Sequence, residues 1–131
     1  MSDNQFIDPT GKSALADYSA ATNQYKLMKT TGSTVASVQV TKGAYTMGVL
    51  QNLPGSGEAC NIAVGGVSFV RVNSTSSAAI AAGGLLTPAT GGGGIASTAA
   101  GDFTFGRALE ALAAATTGII RASLTFEGST A

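Results

Sequence analysis

The sequence predicts an all-β fold, a small β-barrel or sandwich of short antiparallel strands with at most one short helix. Short runs of alternating apolar and polar residues are separated by turn-forming residues at intervals of about ten residues. No long stretch carries the apolar stripe of an amphipathic helix. The chain has 131 residues, of which 44% are hydrophobic, and this is enough for one domain with a modest core.

The C-terminal residues 100–126 predict a closing β-hairpin. Its second strand has an apolar and a polar face, in which Ile120, Ala122, Leu124 and Phe126 alternate with Arg121, Ser123 and Thr125. Its first strand follows a turn and has two faces, Phe103, Phe105 and Leu109 against Gly106 and Ala108. A short helix over residues 108–116 is the alternative, because Leu109, Leu112 and Ala113 also fit a helical stripe.

A Gly-Gly pair in the middle of the chain predicts a second hairpin. Gly65 and Gly66 separate two apolar runs, and a two-residue turn there pairs the flanking valines. The resulting register puts two sets of side chains on opposite faces, Ile62, Val64, Val67 and Phe69 against Ala63 and Ser68. The same register places Cys60 opposite Arg71.

The other strands are predicted from alternation and from turn residues. Residues 24–29, 35–40 and 45–52 alternate as strands, with turns between them that contain Gly32 and Gly43. Residues 80–86 form a short apolar segment. The four glycines at 91–94 predict a flexible loop.

Residues 1–23 are predicted to form an extended N-terminal arm in front of a β-rich domain that spans residues 24–131. The arm is rich in small, polar and turn-forming residues, and its apolar side chains follow no period: Phe6, Ile7, Leu15 and Tyr18. Spaced anchors of this kind suit a groove on a partner, so we expect these four residues to contact it. A disordered terminus is the alternative interpretation.

Charge is sparse and balanced along the chain. Seven basic and seven acidic residues cancel, and charged residues make up only 11% of the chain, so the sequence predicts neither nucleic-acid nor membrane binding. A surface with so little charge gives little protection against association, which indicates assembly with other chains. No signal peptide or membrane span is predicted, so we expect synthesis in a cytoplasm.

The sequence offers no catalytic constellation. It contains no His, which excludes Ser-His-Asp and Cys-His nucleophile systems and His-containing metal sites. Cys60 is interpreted as a buried structural residue. Gly11-Lys12-Ser13 lacks the first glycine of a phosphate-binding loop, because that position is Phe6. We therefore expect no catalytic, cofactor-binding or metal-binding residues and no enzyme activity.

Two acidic residues of the C-terminal hairpin have other interpretations. Asp102 and Glu110 would stand about 26 Å apart along a strand, which is too far for a paired acid and base. Asp102 is interpreted as a turn residue. Glu110 either pairs with Arg107 or Arg121, or points to solvent.

A series of glycine-rich and apolar motifs resembles the small β-rich capsid decoration, or cement, proteins of tailed bacteriophages, the family known as DUF2190. The motifs are YTMGVLQN at 45–52, GEA at 57–59, IAVGGV at 62–67, IAAGGLL at 80–86, AGD at 100–102 and GRALEA at 106–111. Their order and spacing carry the resemblance. The long N-terminal segment and the loop at 87–99 depart from the shortest family pattern.

The resemblance implies a homotrimer on the outer surface of an icosahedral head, where it holds together capsomers of the major capsid protein. It implies no enzyme chemistry. The apolar face of the C-terminal hairpin that contains Ala108 and Leu112 is expected to contact another copy of the chain. The interface candidates are Arg107, Ala108, Glu110, Leu112 and Arg121. The alternative function is a head-fibre module or a receptor- or carbohydrate-binding β-module.

Overall fold

The computed structural model describes residues 5–8, 11–32, 34–39, 41–73, 79–89, 91–97, 101–113 and 116–129. These residues form ten strands of one sheet and a single 3₁₀ turn, which confirms the all-β prediction. The elements are β1 Gln5–Ile7, β2 Ser13–Ala14, the 3₁₀ turn Ala21–Asn23, β3 Leu27–Thr31, β4 Val35–Val38, β5 Gly48–Leu50, β6 Ile62–Asn73, β7 Leu85–Pro88, β8 Gly94–Ala96, β9 Phe103–Ala108 and β10 Thr117–Ser129.

Five strands close into a barrel in the order β6, β10, β9, β7, β8. The ring closes where β6 and β8 run parallel, with Val72 opposite Gly94, and all its other pairs are antiparallel. Apolar side chains from every one of these strands fill the interior, and Phe105 is the largest of the fully buried ones. Closure leaves no unpaired edge in this ring, which is how a small sheet avoids edge-to-edge association.

The remaining strands extend the sheet from β6 in the order β5, β3, β4, β2, while β1 pairs with β6 separately. We call β1–β5 the appended half and β6–β10 the barrel. The appended half has its own core, which consists of Ala14, Met28, Ala36, Leu50, Cys60 and Ile62. The predicted strands at 24–29, 35–40 and 45–52 correspond to β3, β4 and β5.

The predicted closing hairpin is confirmed by β9 and β10. Ala108 lies opposite Ala122, and Ile120, Ala122 and Leu124 face the barrel interior as the alternation predicts. The alternative helix is not present in the described residues 108–113. Leu109 was predicted to share the face of Phe105 and is instead half-exposed, because an irregularity between Leu124 and Gly128 shifts the alternation along the pair.

The predicted hairpin at Gly65 and Gly66 is wrong, because β6 runs through both glycines without turning. Gly66 has a φ of +79° and is paired with Gln5 on one side and Leu124 on the other. The register with β1 skips one residue next to Gly65, so the glycines mark a bulge rather than a turn.

The bulge also reverses the faces predicted for the second half of β6. Ser68 is buried and accepts a hydrogen bond from Gln51 Nε2 at 2.9 Å, whereas Phe69 is 45% exposed. Cys60 consequently does not lie opposite Arg71, since Arg71 pairs with Ile119 of β10.

The glycine run at 91–94 is packed, which corrects the prediction of a flexible loop. Gly92, Gly93 and Gly94 are buried, and the carbonyl of Gly92 accepts a hydrogen bond from Leu27 N at 2.8 Å. A Cβ atom on Gly94 would lie 2.9 Å from the ring of Phe105. The glycines are therefore needed where neighbouring elements leave no room for side chains.

The segment predicted as an arm is extended, and its described residues lie on the domain. β1 pairs with β6, β2 pairs in parallel with β4, and Ala14 is buried in the core of the appended half. The carbonyl of Lys12 accepts a hydrogen bond from Cys60 N at 2.8 Å. The boundary between arm and domain near residue 23 stays a prediction.

Candidate assembly surfaces

One wall of the barrel presents large apolar side chains to solvent. Phe69 of β6 is 45% exposed, Ile119 of β10 is 43% exposed, and Leu109, which follows β9, is 49% exposed. Arg121 lies opposite Phe69 in the register, and Leu109 N donates to Arg121 O at 2.9 Å. These contacts place Leu109, Arg121 and Phe69 in one row across three strands. We call Phe69, Arg107, Leu109, Ile119 and Arg121 the outer face.

The outer face follows from the two-residue period of β6 and β10. Val70 and Val72 on β6 and Ile120 on β10 fill the barrel, so the residues between them must face outward. The sequence contained a signal for this surface that the prediction missed. Phe69 has the parity of Arg71 and Ile119 has the parity of Arg121, and an arginine marks the solvent side of a strand more reliably than a glycine marks a turn.

Tyr25 lies against Phe69 of the outer face. Its ring lies 5.6 Å from the ring of Phe69, at an angle of 52°. Tyr25 has a φ of +67°, which is uncommon for a residue with a bulky side chain. Its backbone N–H donates to Leu50 O at 2.8 Å, and its carbonyl accepts from Arg71 N at 3.0 Å. These bonds hold the left-handed conformation and fix the residues on either side of it.

Glu110 and Arg121 form an ion pair at the edge of the outer face. Glu110 Oε2 accepts from the Arg121 backbone N at 2.8 Å and from Arg121 Nε at 3.2 Å. The backbone hydrogen bond first, and the guanidinium second, lower the pKa of the Glu110 carboxyl. The pair is also exposed, with side-chain exposures of 57% for Arg121 and 41% for Glu110, so both interpretations of Glu110 describe part of its environment.

Two of the predicted interface residues lie mainly within their own chain. Ala108 is fully buried in the barrel core, so it contributes no surface for a second copy. Leu112 is half-buried, and its backbone exchanges two hydrogen bonds of 2.8 Å with Ile80. Arg107, Glu110 and Arg121 remain at the surface on or beside the outer face. Their role in a trimer stays a prediction.

The first strand carries a second apolar surface. Phe6 is 68% exposed and Ile7 is 43% exposed, and we call these two residues the N-terminal edge. Among the described strands, β1 pairs with β6 alone. A Cβ atom on Gly65 would lie 3.0 Å from Phe6 Cδ2, so the glycine permits the close approach of β1 to β6.

The other two predicted anchors lie near a different strand. Leu15 is 55% exposed, and its N–H donates to Ala36 O at 2.9 Å. Tyr18 is half-buried against the core of the appended half, and its hydroxyl accepts from Val38 N at 3.2 Å. The structure therefore brings Phe6 and Ile7 together and leaves Leu15 and Tyr18 beside β4.

A buried ion pair lies within the N-terminal segment. Lys12 Nζ lies 3.3 Å from Asp8 Oδ2, and the two side chains are only 10% and 11% exposed. The sequence analysis considered Lys12 only as part of a phosphate-binding loop. Its spacing of four residues from Asp8 was the available signal for a local charge pair.

The structure shows the surroundings of Cys60 and the distribution of possible metal ligands. Cys60 is buried, and loss of solvation raises the pKa of its thiol, which favours the unreactive protonated form, as the structural interpretation predicts. No group of three His, Cys, Asp or Glu side chains in the described ranges could hold a metal ion. None of the helices described here is long and apolar enough to span a membrane.

Comparisons with known proteins show the fold. No family model matches the chain, and no curated protein matches it. The structure is similar to the N base of the head fibre protein gp8.5 of bacteriophage phi29, with a TM-score of 0.64 over 94% of this chain and 98% of that chain. Sequence identity between the two is 13%. The chain therefore has the fold of that base, and the resemblance to the decoration-protein family stays a prediction.

Proposed function

We propose that this chain is a structural protein of a bacteriophage head, carried on the outer surface of the virion. The observation that carries the proposal is the fold shared with the base of a phage head fibre over nearly the full length of both chains. Fold alone does not fix function. The proposal is supported by two separated apolar surfaces on one small domain, which suit a protein that assembles with other chains.

The finer form of the proposal is a decoration protein that stabilises contacts between capsomers. Such a protein needs one surface for copies of itself and another for the capsid. We assign the outer face to self-association, because its apolar residues are flanked by charges of both signs that can pair across an interface. We assign the N-terminal edge to the major capsid protein, because β1 offers an exposed aromatic ring and, among the described strands, pairs on one side only.

In this proposal the chain performs no reaction and takes no cofactor. It works by burying surface at sites where capsid subunits meet, and many equivalent copies make even modest contacts effective through multivalency. Its action would then depend on the geometry of the lattice. A free capsid subunit should bind it more weakly than an assembled head does.

Oligomeric state provides the first experiment. Light scattering of the purified chain should give three times the chain mass of 12.8 kDa. The double variant Phe69→Ser/Ile119→Ser should shift the protein to a monomer, because both residues lie on the outer face. Leu15→Ser is the matched control, since Leu15 is similarly exposed and lies elsewhere. A wild-type monomer at micromolar concentration contradicts the trimer.

Capsid binding provides the second experiment. Cosedimentation with DNA-filled heads that lack this protein should retain the wild type, and electron microscopy should show added density on the outer surface. Phe6→Ser/Ile7→Ser should lose binding while remaining trimeric. Binding that is unchanged in this variant contradicts the role of the N-terminal edge, and no binding by the wild type contradicts the proposed function.

A head-fibre base is the second candidate, and the same structural likeness favours it. In that case, the density on the head would continue outward as a fibre, and its foot would match this domain. A compact cap with no projection at the same positions would favour the decoration protein. Electron microscopy of intact virions distinguishes the two directly.

A further inference from the structure

A cleft opens at one end of the barrel, where β6 ends and β8 and β10 begin. It encloses about 280 Å³ and is lined by Thr22, Lys26, Arg71, Val72, Gly91, Gly93 and Thr117. Neither of the assembly surfaces described above includes these residues. The cleft is too small for a large ligand and large enough for one side chain or a small ion.

Two cations and no carboxylate line this cleft. Lys26 and Arg71 are both half-buried, and neither belongs to an ion pair within the described part of the chain. The sequence contains no Asp or Glu between Glu58 and Asp102, so the segment that supplies Arg71, Gly91 and Gly93 contains no counter-charge. Two positive charges that line one small cleft favour the binding of an anion there.

The cations are held in place by neutral groups of the segment around the 3₁₀ turn. Arg71 Nε donates to Gln24 O at 3.3 Å and Nη2 donates to Ala21 O at 3.4 Å, while Lys26 Nζ donates to Asn23 Oδ1 at 3.2 Å. Arg71 Nη1 has no acceptor among the described residues. A lysine carries three donors and an arginine five, so both side chains keep donors for a ligand.

The backbone of the glycine run adds further donors. Gly91 and Gly93 line the cleft, and their N–H groups donate to no acceptor that the described ranges contain. Gly91 has a φ of +95°, and neither glycine has a side chain to block access. Thr22 and Thr117 also line the cleft, and each side chain has a hydroxyl group. The cleft therefore combines two charges with neutral donors, as oxyanion sites do.

We infer that the cleft binds the carboxylate of an acidic side chain from a partner protein. A nucleic-acid backbone would require several cations to neutralise successive phosphates, and this chain has only two at the cleft and few elsewhere. An arginine with free amino donors matches the planar carboxylate group. Binding of such a side chain does not depend on the proposed role at a phage head.

The test is a titration of the ¹⁵N-labelled chain, followed by NMR, with N-acetylglutamate N-methylamide. Backbone signals of Gly91, Gly93 and Thr117 should shift saturably, and the glutamine analogue should leave them unchanged. Arg71→Gln and Lys26→Gln should each weaken binding about tenfold or more, because each removes a charged hydrogen bond. Lys42→Gln is the matched control, since Lys42 is exposed and does not line the cleft.

The outcomes separate the possible ligands. Arg71 also holds the 3₁₀ turn, so Arg71→Gln could unfold the protein. Lys26→Gln then provides the test, and a well-dispersed spectrum shows that this variant is folded. Inorganic phosphate that binds in place of the glutamate analogue would overturn the assignment to an acidic side chain. Shifts that are equal for the glutamine analogue, or unchanged in both cation variants, would overturn the site itself.

Discussion

The barrel and the appended half are built differently, although they belong to one sheet. The barrel contains the two longest strands, β6 with 12 residues and β10 with 13, whereas each strand of the appended half has two to five. Every strand of the barrel has a neighbour on both sides, while β2 ends the sheet and β1 is paired with β6 alone in the described part. We therefore expect stability to be concentrated in the ring, because the part that extends from it has shorter ladders.

The two halves also differ in where a charged side chain is buried. The barrel core is centred on apolar side chains such as Phe105, Leu86 and Val70. Among the described residues, Lys12 is the buried residue that carries a charge. It lies in the appended half near its partner Asp8. The appended half thus depends on a correctly placed charge pair, whereas the barrel depends on volume and shape.

The largest expected effect is the loss of Phe105. Phe105→Ala removes the largest fully buried side chain of the barrel and should reduce the free energy of unfolding by about 4 kcal/mol. Met28→Ala is the matched change in the appended half and should cost about 3 kcal/mol, because a smaller side chain is lost. Urea denaturation of both variants measures the difference. A larger loss for Met28→Ala would mean that the appended half, not the barrel, dominates stability.

Breaking the buried ion pair should have the next largest effect. Lys12→Met leaves the Asp8 carboxylate buried without its ammonium partner and should cost about 3 kcal/mol. Lys42→Met at the surface should cost almost nothing, and Lys12→Met/Asp8→Leu should recover part of the loss. Denaturation of the three variants gives the coupling between the two residues. A loss as small as that of Lys42→Met would show that the pair does not stabilise the fold.

The junction between the two halves can be tested at Gly65. Gly65→Ala places a Cβ against the ring of Phe6, which is exposed and can move away, so we expect a loss of about 1 kcal/mol. Hydrogen exchange should accelerate at β1 and remain slow in the barrel. Adding Phe6→Ala should remove the clash and restore protection. Faster exchange throughout β10 would show that the bulge supports the barrel as well.

The smallest effect is expected from the exposed pair Glu110 and Arg121. Hydrogen bonds from Arg121 depress the pKa of Glu110 below its ordinary value of 4.5, so its contribution to stability is present above that pH and is lost as pH falls through the depressed value. The difference in melting temperature between wild type and Glu110→Gln should therefore shrink as pH drops below 4.5. A difference that is constant from pH 3 to pH 7 would contradict the pairing.

Strand alternation correctly predicted those strands that have one buried face and one exposed face. In β10, Ile120 and Ala122 face the apolar interior and Arg121 faces solvent. The alternation of apolar and charged residues in the sequence matches this alternation of faces. The all-β class and the closing hairpin could therefore be predicted. The all-β pattern did not show whether the sheet closes as a barrel or stacks as a sandwich.

Glycines were the source of the errors. Gly65-Gly66 has the same local signature in a two-residue turn as in a bulge, and only the pairing of Gly66 with Gln5 and Leu124 decides between them. The run at 91–94 was likewise interpreted from its freedom of conformation, whereas the fold uses its lack of side chains beside Leu27 and Phe105. Both errors concern contacts between residues that are distant in the sequence.

The candidate surfaces were predicted only in part, for the same reason. Arg107, Glu110 and Arg121 were placed correctly at the surface, but the reversed faces of β6 hid Phe69 from the prediction. The cleft could not be predicted, because Lys26 and Arg71 are brought together by the path of the chain through Tyr25.

The continuity of β6 has a mechanical consequence. One unbroken stretch of backbone enters the smaller core at Ile62 and leaves the larger one at Asn73. A load applied along β6 would act as shear on its ladder with β10, which contains eight residue pairs from Thr117–Asn73 to Leu124–Gly66. The domain is therefore expected to resist a pulling force along β6, a property that would suit the proposed attachment to a phage head.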